Sequence, residues 1–296
     1  MAEEFKNSGL VTKKFSNFFF VELERTCKQK PQKFLCQARK SLLYKQNSVY
    51  VGDHVLIKSI DLIKKTAIIY DILPRKNLFP KPNVANLSDI FLMFSLSQPD
   101  INYNQINKFL IKSEYAQLNI NIIFSKSDLV LNEFSEAVQV RIKKWGYPSH
   151  VISLESNQGL SDILKTFAKK SCSVVVGPSG VGKTSLMNYL LPNSNLPVSP
   201  VSEKTQTGVH TTRNVELFNF RKDRFIVDTP GFNIPDFEID KHQLGCLFPE
   251  IRIQKETNFC KFNDCLHIDE PGCLLDKTWE RYNLYRKMIL HSISTR

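Results

Sequence analysis

Short runs of β-branched and aromatic residues, separated by polar turns, occupy the first seventy or so positions of the chain. They lie at Val11, 18–21, 49–51, 55–57 and 67–70. Five short strands in about seventy residues predict a small barrel. We favour an OB-fold barrel, and another small β-domain with a basic face is the alternative.

The pattern changes after residues 74–86, a segment with three prolines that predicts a linker. Predicted strands follow at 90–94, 120–124, 151–153, 173–176 and 225–227, and predicted helices at 103–115, 134–145, 160–169 and 184–191. Continuous apolar strands that alternate with helices predict a mostly parallel sheet covered on both faces. After residue 236 the pattern is helical and cysteine-bearing.

Positive charge is concentrated at the start of the chain. The 296 residues carry 40 Lys and Arg against 29 Asp and Glu, a formal net charge of +11. Residues 1–83 hold 16 basic and 7 acidic side chains, a net of +9, whereas residues 84–235 stand at +3 and residues 236–296 at −1. A basic barrel suits a phosphate backbone, so nucleic acid is the expected partner of the first segment.

Composition excludes several classes of protein. Hydrophobic residues make up 42% of the chain and charged residues 23%, which is a globular rather than a disordered balance. No apolar run approaches the roughly 18 residues that span a bilayer, and the acidic start lacks an apolar signal core. We therefore expect a cytoplasmic protein with no membrane partner. Seven cysteines, an odd number, argue against a closed disulfide framework.

Residues 177–184, GPSGVGKT, match the phosphate-loop pattern G-x-x-x-x-G-K-[ST]. They follow a predicted buried strand and open a predicted helix, which is the context that this motif needs. Main-chain N–H groups and the helix N-terminus can surround phosphate oxygens. Lys183 is expected to reach the β- and γ-phosphates, and the Thr184 hydroxyl to hold Mg²⁺. The expected nucleotide contacts are Gly177, Pro178, Ser179, Gly180, Val181, Gly182, Lys183, Thr184 and Ser185.

A second motif, Ser125-Lys126-Ser127-Asp128, follows a predicted strand and is similar to the guanine-reading pattern N-K-x-D. The Asp128 carboxylate can accept hydrogen bonds from guanine N1–H and N2–H₂, a donor pair that adenine lacks. The Lys126 stem can lie over the base, and the loop 153–160 fits a segment that closes over it. Ser125 replaces the usual Asn with a shorter group, so we expect weaker guanine affinity. An exposed loop is the alternative interpretation.

A third motif, Asp228-Thr229-Pro230-Gly231, has the D-x-x-G pattern after an apolar strand. Asp228 is expected to hold Mg²⁺ through water, and the Gly231 N–H to touch the γ-phosphate. In a Ras-like chain the base reader comes after the phosphate loop, but here it comes before. The sheet is therefore predicted to be circularly permuted, a change that keeps the site because the termini of compact domains lie close together.

The polar segment 199–213 is a candidate switch loop, because ordering around γ-phosphate and Mg²⁺ requires mobility. Thr211 or Thr212 can supply the switch hydroxyl. His210 can position the attacking water or can be a solvent-exposed imidazole, and both interpretations stay open. Phe232 follows D-x-x-G at the position of the water-orienting Gln in Ras-type enzymes, so we expect slow intrinsic hydrolysis.

Three cysteines and one histidine near the end form a candidate metal site, at Cys260, Cys265, His267 and Cys273. Sulfur and nitrogen donors at short spacing are typical of a closed tetrahedral Zn²⁺ site with a structural role. Unpaired thiols in a helical tail are the alternative. The other cysteines are expected to be buried apolar side chains: Cys27, Cys36, Cys172 and Cys246.

Taken together, these motifs resemble one family closely, the circularly permuted GTPases of small ribosomal subunit biogenesis of the RsgA/YjeQ type. The resemblance covers nearly the whole chain. It is carried by VGD at 51–53, PRKN at 74–77, AN at 85–86, GPSGVGKT, G-x-H-T-T at 208–212, DTPG at 228–231, FPE at 248–250, DCLH at 264–267 and EPGC at 270–273.

The resemblance implies a multidomain α/β and β protein. An OB-fold domain over residues 1–83 would contact ribosomal RNA, a circularly permuted P-loop GTPase domain would span 84–235, and a helical zinc-binding domain 236–296. It also implies GTP hydrolysis to GDP and phosphate, stimulated by the small ribosomal subunit and serving its late maturation. Mg²⁺ with GTP and one Zn²⁺ per chain are the implied cofactors. His210 matches a family histidine implicated in hydrolysis, and we expect a monomer.

Two other classes of function fit part of the pattern. The first is an RNA-binding module with a vestigial nucleotide site, and the intact Lys183, Thr184 and Asp228 argue against it. The second is a P-loop ATPase, and Asp128 argues against it because ATP offers that carboxylate no donor pair.

Overall fold

The N-terminal part of the chain is a closed, five-stranded, OB-like barrel. The computed structural model describes residues 7–23, 32–42, 48–79, 83–192, 215–221, 224–228 and 239–294. The barrel strands are β1 (Ser8–Phe15), β2 (Phe18–Leu23), β3 (Lys33–Ala38), β4 (His54–Asp61) and β5 (Thr66–Ile72). They are hydrogen-bonded in the order β1-β2-β3-β5-β4, and β4 pairs back onto β1. The predicted barrel is therefore confirmed.

One barrel strand differs from the prediction. Strand β3 buries Phe34 and Cys36 and turns Lys33 and Leu35 outward, so it supplies a wall of the barrel. The predicted strand at 49–51 is wrong, because Val51 makes an isolated parallel bridge instead. The outward positions of this six-residue strand are a mixture of polar and apolar side chains, so the strand lacks a clean alternation that the sequence pattern could reveal.

An ion pair fixes the linker to the barrel. Arg75 Nε and Nη2 donate to the two carboxylate oxygens of Asp53 at 2.6 and 2.8 Å, and the Asp53 side chain is fully buried. Asn86 Nδ2 donates to the carbonyl oxygen of Gly52 at 2.8 Å. The linker carries a short hairpin made of β6 (Leu78–Phe79) and β7 (Val84–Ala85). The segment predicted from its prolines is therefore held against the barrel at two points.

Six strands form the central sheet: β8 (Asp89–Ser95), β9 (Asn119–Ser125), β10 (Ser149–Val151), β11 (Cys172–Val176), β12 (Glu216–Arg221) and β13 (Arg224–Asp228). Their order is β10-β9-β8-β11-β13-β12. The first five in this order are parallel, and β12 is antiparallel to β13. The connecting helices are α1 (Tyr103–Tyr115), α2 (Asn132–Lys144), α3 (Leu160–Ala168) and α4 (Lys183–Leu190).

Both faces of the central sheet are buried. Along β8, Ile90 and Leu92 belong to one apolar cluster, whereas Phe91 and Met93 belong to another. Successive side chains of a strand point to opposite faces, so the two clusters lie on opposite sides of the sheet. The strand order also places β8 and β9 beside β11, although both precede it in the chain. This order confirms the predicted permutation.

The C-terminal part packs on an apolar cluster that also includes Ile111 of α1. Its helices are α5 (Lys241–Leu244), α6 (Pro249–Lys255) and α7 (Tyr282–Ser294). The rings of Phe248 and Tyr285 meet edge to face with centroids 5.3 Å apart, and Trp279 lies 5.6 Å from Phe248. None of the helices in the described ranges is long and apolar enough to cross a membrane.

A buried arginine joins the C-terminal part to the central sheet. Arg281 is 2% exposed, and its guanidinium donates to both carboxylate oxygens of Glu250, at 2.7 and 2.5 Å. The same guanidinium reaches Asn107 Oδ1 of α1 at 3.4 Å and lies 5.1 Å from the ring centroid of Trp145. The neighbouring Glu280 accepts hydrogen bonds from Arg141 of α2 and from Trp145 Nε1. Helices α1 and α2 therefore form the docking face.

The barrel meets the central sheet through its first strand. Strand β1 pairs with β12 at Lys13 and Glu216, whose side chains also form an ion pair at 2.6 Å. The five barrel strands and the six strands of the central sheet thereby share one eleven-stranded hydrogen-bonded order.

A candidate guanine nucleotide site and a candidate metal centre

The phosphate-loop segment connects β11 to α4, as the sequence predicts. At the first position, a Cβ on Gly177 would lie 1.9 Å from the carbonyl oxygen of Met93, so the loop can approach β8 only without a side chain there. At the helix start, Gly182 has a φ of +93°, which L side chains rarely adopt. Glycine at these two positions allows the backbone conformation of the loop, and α4 begins directly after Gly182.

Lys183 points back into this loop. Its ammonium donates to the carbonyl oxygens of Gly177 and Pro178, the former at 2.9 Å. Burial lowers the pKa of Lys183 below its ordinary value. The ammonium is thus poised over the loop, where charged phosphate oxygens would be stronger acceptors than the neutral carbonyls. Thr184 follows as the second residue of α4.

The first residue of the base-reading motif is bonded to the phosphate loop. Ser125 ends β9 and is 3% exposed. Its hydroxyl lies 2.7 Å from the carbonyl oxygen of Val181 and 3.2 Å from that of Phe94. A serine hydroxyl therefore reaches across from the base-reading loop to the phosphate loop.

Asp128 lies in a short 3-10 helix, Ser127–Leu129, directly after this strand. Its carboxylate accepts a hydrogen bond from the buried hydroxyl of Ser153, and that hydroxyl accepts one from the N–H of Ser156 at 3.1 Å. The Ser127 hydroxyl donates to Gln158 Oε1 at 3.0 Å. The loop 153–160, a weak signal in the sequence, is therefore joined to the base reader at two points.

Lys126 adopts a left-handed backbone conformation, with a φ of +60°. Its ammonium donates to the carbonyl oxygen of Gln98, a residue of the turn after β8. The sequence gives no signal for Gln98, because a main-chain carbonyl needs no particular side chain. This contact fixes the direction of the Lys126 stem beside Asp128.

The D-x-x-G motif begins at the correct edge of the sheet. Asp228 ends β13, which runs parallel to β11 with Val174 opposite Val227. Because the carboxyl ends of parallel strands meet at one edge, the backbone of Asp228 lies at the same edge as the start of the phosphate loop. Several predicted residues lie outside the described ranges: Thr229, Pro230, Gly231, His210, Thr211 and Thr212.

The four predicted metal ligands come together. The ligand atoms of Cys260, Cys265, His267 and Cys273 all lie within 4.8 Å of one another. Cys260 Sγ is 3.5 Å from His267 Nδ1 and 4.0 Å from Cys273 Sγ, and Cys273 Sγ is 3.8 Å from Nδ1. Tetrahedral zinc bonds of about 2.3 Å to sulfur and about 2.0 Å to nitrogen give separations of about 3.8 and 3.5 Å. The cluster therefore fits a zinc ion, with Nδ1 as the histidine ligand.

The residues around His267 hold the metal loop in shape. The Glu270 carboxylate accepts hydrogen bonds from the N–H groups of Leu266 and Ile268, at 2.9 and 2.8 Å, on either side of the histidine. The Tyr285 hydroxyl donates to the Leu266 carbonyl at 2.6 Å. The imidazole is only 4% exposed. Ligand positions fixed by such surrounding bonds are typical of structural metal sites.

The remaining cysteines divide into two groups. Cys36 and Cys172 are buried, as expected, and burial raises the pKa of each thiol to about 12. The expectation for Cys246 is wrong, because this thiol is exposed. It lies in the short 3-10 helix Gly245–Leu247, between the buried residues Leu244 and Leu247, so its side chain faces outward. Cys27 lies outside the described residues.

Comparison with known proteins settles the family. The family model described as RsgA GTPase matches residues 72–238. The chain belongs to the RsgA GTPase family. It is 40% identical over 282 residues to the small ribosomal subunit biogenesis GTPase RsgA of Synechococcus sp. (strain CC9311), covering 95% of this chain and 93% of that protein. It is 37% identical over 299 residues to the protein of the same name from Prochlorococcus marinus (strain MIT 9303), covering 97% and 93%.

Solved structures show the same architecture along nearly the whole length. YjeQ from Thermotoga maritima aligns with a TM-score of 0.79 at 29% identity, covering 98% of this chain and 99% of that one. YloQ, described as a circularly permuted GTPase, aligns with a TM-score of 0.77 at 27% identity, covering 98% and 96%. Membership in the RsgA family, the permuted fold and the assignment as a GTP-hydrolysing enzyme follow from these comparisons together.

Proposed function

We propose that this RsgA-family protein hydrolyses GTP to GDP and phosphate during late maturation of the small ribosomal subunit, and that binding to the subunit stimulates the hydrolysis. The observation that carries the proposal is the hydrogen bond from Ser125 to Val181, which joins the base-reading loop to the phosphate loop in one site, and the Asp128 carboxylate in that loop favours guanine. The names of the relatives, which are small ribosomal subunit biogenesis GTPases, support the subunit as partner.

Within the site we assign the base to Asp128, with Lys126 alongside, Ser127 holding the adjacent loop, and Ser125 at the junction. We assign the phosphates to Lys183 and the main-chain N–H groups of the loop. The full set of proposed phosphate-side contacts is Gly177, Pro178, Ser179, Gly180, Val181, Gly182, Lys183, Thr184, Ser185, Asp228 and Gly231. Mg²⁺, when bound, neutralises charge that develops between the β- and γ-phosphates.

The residues proposed for hydrolysis lie in the switch segment. His210 is proposed to orient the attacking water, and Thr211 or Thr212 to supply the switch hydroxyl. The support is the match of these residues to the G-x-H-T-T motif, together with Phe232 in place of a water-orienting glutamine. With no glutamine after D-x-x-G, turnover by the protein alone is expected to be slow.

We further propose three domains, at residues 1–83, 84–235 and 236–296. The apolar cluster inside the barrel and the cluster that holds most of the C-terminal part support this division, and a further cluster packs Leu10 and Val51 against Ile90 of the central sheet. The barrel is proposed to contact ribosomal RNA, since its segment carries most of the net positive charge. The C-terminal domain is proposed to hold one structural Zn²⁺ at Cys260, Cys265, His267 and Cys273. We expect a monomer in the cytoplasm.

The deciding experiment is a titration of GTP turnover with purified small subunits. We expect turnover to rise with subunit concentration for the natural protein and to stay at background for Lys183→Ala, which loses its phosphate contact. Unchanged turnover with subunits would instead favour an RNA-binding module with a vestigial nucleotide site. Competition of ATP and GTP for labelled GDP, run in parallel, distinguishes an ATPase, because ATP would then displace GDP as well as GTP does.

A further inference from the structure

An exposed apolar patch directly follows the base reader. We define it by Leu129, Leu131 and Phe134, whose exposed fractions are 48%, 75% and 42%. The three residues lie within one tight turn and the first turn of α2, with the Phe134 N–H bonded to the Leu131 carbonyl at 3.1 Å. Isolated exposed leucines are ordinary, but three large apolar side chains in six residues form a local surface.

The patch does not serve the start of the helix. Leu131 occupies the N-cap position of α2, where it provides no side-chain hydrogen bond. Ser, Thr, Asp or Asn at this position would satisfy an N–H group and stabilise the helix, whereas Leu is among the poorest choices. Since Leu131 is also largely exposed, neither capping nor burial in this chain accounts for it.

The charge around the patch is negative, in contrast to the chain as a whole. Residues 127–140 contain three carboxylates, at Asp128, Glu133 and Glu136, and no Lys or Arg. Glu133 and Glu136 are exposed. Of the flanking cations, Arg141 is paired with Glu280, whereas Lys126 keeps its charge and donates to the Gln98 carbonyl. A phosphate backbone would be repelled here, whereas the barrel attracts one.

We propose that the patch is the docking surface for a basic protein segment that carries apolar side chains, presented by the small subunit. Apolar side chains would cover Leu129, Leu131 and Phe134, and Lys or Arg would pair with Glu133 and Glu136. This inference rests on the proposed function, because it names the partner at one face of the same domain. It places a protein contact beside the guanine reader, separate from RNA contact by the barrel.

A substitution that improves the helix cap distinguishes an effect on subunit binding from an effect on the stability of the protein. The double variant Leu131→Ser/Phe134→Gln removes two apolar side chains and creates the S-x-x-Q capping box that stabilises helix starts. We expect its melting temperature to stay equal or rise, intrinsic GTP turnover and GTP affinity to stay unchanged, and affinity for small subunits to fall at least tenfold. Val140→Ser, which removes a 54% exposed side chain further along α2, is the matched control and should bind subunits normally.

A charge reversal identifies the class of partner. Glu133→Lys/Glu136→Lys should weaken subunit binding if the partner is a basic protein segment. A gain in binding would show RNA at this face and overturn the proposal, as would unchanged subunit affinity for the capping variant. Should the double capping variant melt early, the single Leu131→Asn variant takes its place, since Asn is also a favourable N-cap.

Two further readouts exclude other occupants. A photo-crosslinker at position 131 should capture a protein of the subunit, and capture of RNA alone would contradict the proposal. Light scattering tests a second copy of this chain, because a dimer that the capping variant dissociates would also contradict it. If the natural protein does not bind small subunits at all, the proposed function is wrong. If the natural protein binds and the capping variant binds equally well, only the docking proposal is wrong.

Discussion

The hydroxyl of Ser125 lies 2.7 Å from the carbonyl oxygen of Val181, so the strand that leads to the base reader is bonded to the phosphate loop. Ser125→Ala removes the donor and leaves a buried carbonyl without it. A hydrogen bond of this kind contributes about 0.5–1.5 kcal/mol. We therefore expect GDP and GTP to bind about two- to tenfold more weakly, as measured by titration with fluorescent nucleotides.

Ser113→Ala is the matched control for this substitution. The Ser113 hydroxyl also bonds a carbonyl, that of Phe109 at 2.7 Å within α1, but it lies in a helix away from the loops of the site. Its loss should lower thermal stability slightly and leave nucleotide affinity intact. Equal affinities for the two variants would mean that the Ser125 bond does not support nucleotide binding.

Asp128→Asn should change the base preference from guanine to xanthine. The amide can donate to the C2 carbonyl of xanthine, where guanine instead presents an N2–H₂ donor. Hydrogen bonds to charged groups are worth about 1.5–3 kcal/mol, so GTP affinity should fall about ten- to a hundredfold. Competition between GTP and XTP measures the preference, with Asp162→Asn, at an exposed position of α3, as the control. An unchanged GTP:XTP ratio would refute base reading by Asp128.

Cys265→Ser should remove the metal from the C-terminal domain. Purified natural protein is expected to contain one zinc per chain by elemental analysis, and the variant none, because a hydroxyl is a poor substitute for a thiolate ligand. Structural zinc contributes on the order of 10 kcal/mol to the folding of small units, so the C-terminal domain should unfold at a lower temperature. Cys246→Ser, at an exposed thiol outside the cluster, should keep both the zinc and the melting temperature. Retained zinc in Cys265→Ser would disprove the assignment.

Arg281→Met should destabilise the docking of the C-terminal domain. The substitution leaves the mostly buried Glu250 without its partner, and breaking such a pair costs about 3–5 kcal/mol. Arg286→Met breaks an exposed pair with Asp269, 3.4 Å long, and should cost less than about 1 kcal/mol. Urea unfolding of both variants measures the free energies, and similar values for the two would show that burial of Arg281 is unimportant.

Thiol alkylation should distinguish the cysteines by burial. At pH 8, Cys246 is expected to react quickly, whereas Cys36 and Cys172 should react only on unfolding, because burial raises the pKa of each to about 12. The unfolded thiols ionise near pH 9, so their contribution to stability is complete below that pH and declines as the pH rises towards 12. Peptide mapping after labelling follows each site. Rapid labelling of Cys36 in native protein would contradict its burial.

The fold was predictable wherever a pattern is local. The glycines and Lys183 of the phosphate loop, the spacing of Cys260 to Cys273 and the helix 103–115 each carry their signal within a few residues, and the structure has all three. Strand β3 and strand β12 were missed, because neither KFLCQA nor ELFNFR alternates cleanly between apolar and polar residues, although each pairs with a strand that is close in the chain.

Long-range polar contacts could not be predicted. Arg281 meets Asn107 across 174 positions of sequence, and the pattern around either residue gives no indication of the other. Ser125 gives a second example, since a shorter side chain than Asn still reaches the Val181 carbonyl once β9 and the loop are in place. Whether guanine affinity is weaker than in relatives with Asn stays a prediction.

The pairing of β1 with β12 has a consequence for shortened versions of the chain. Without the barrel, β12 would lose the Lys13–Glu216 contact, and this antiparallel edge strand would be open along its whole length. An open edge presents unpaired main-chain groups to other molecules, which is a common route to aggregation. The barrel covers the start of this edge, at Glu216, and we therefore expect the GTPase domain in isolation to be less soluble than the full chain.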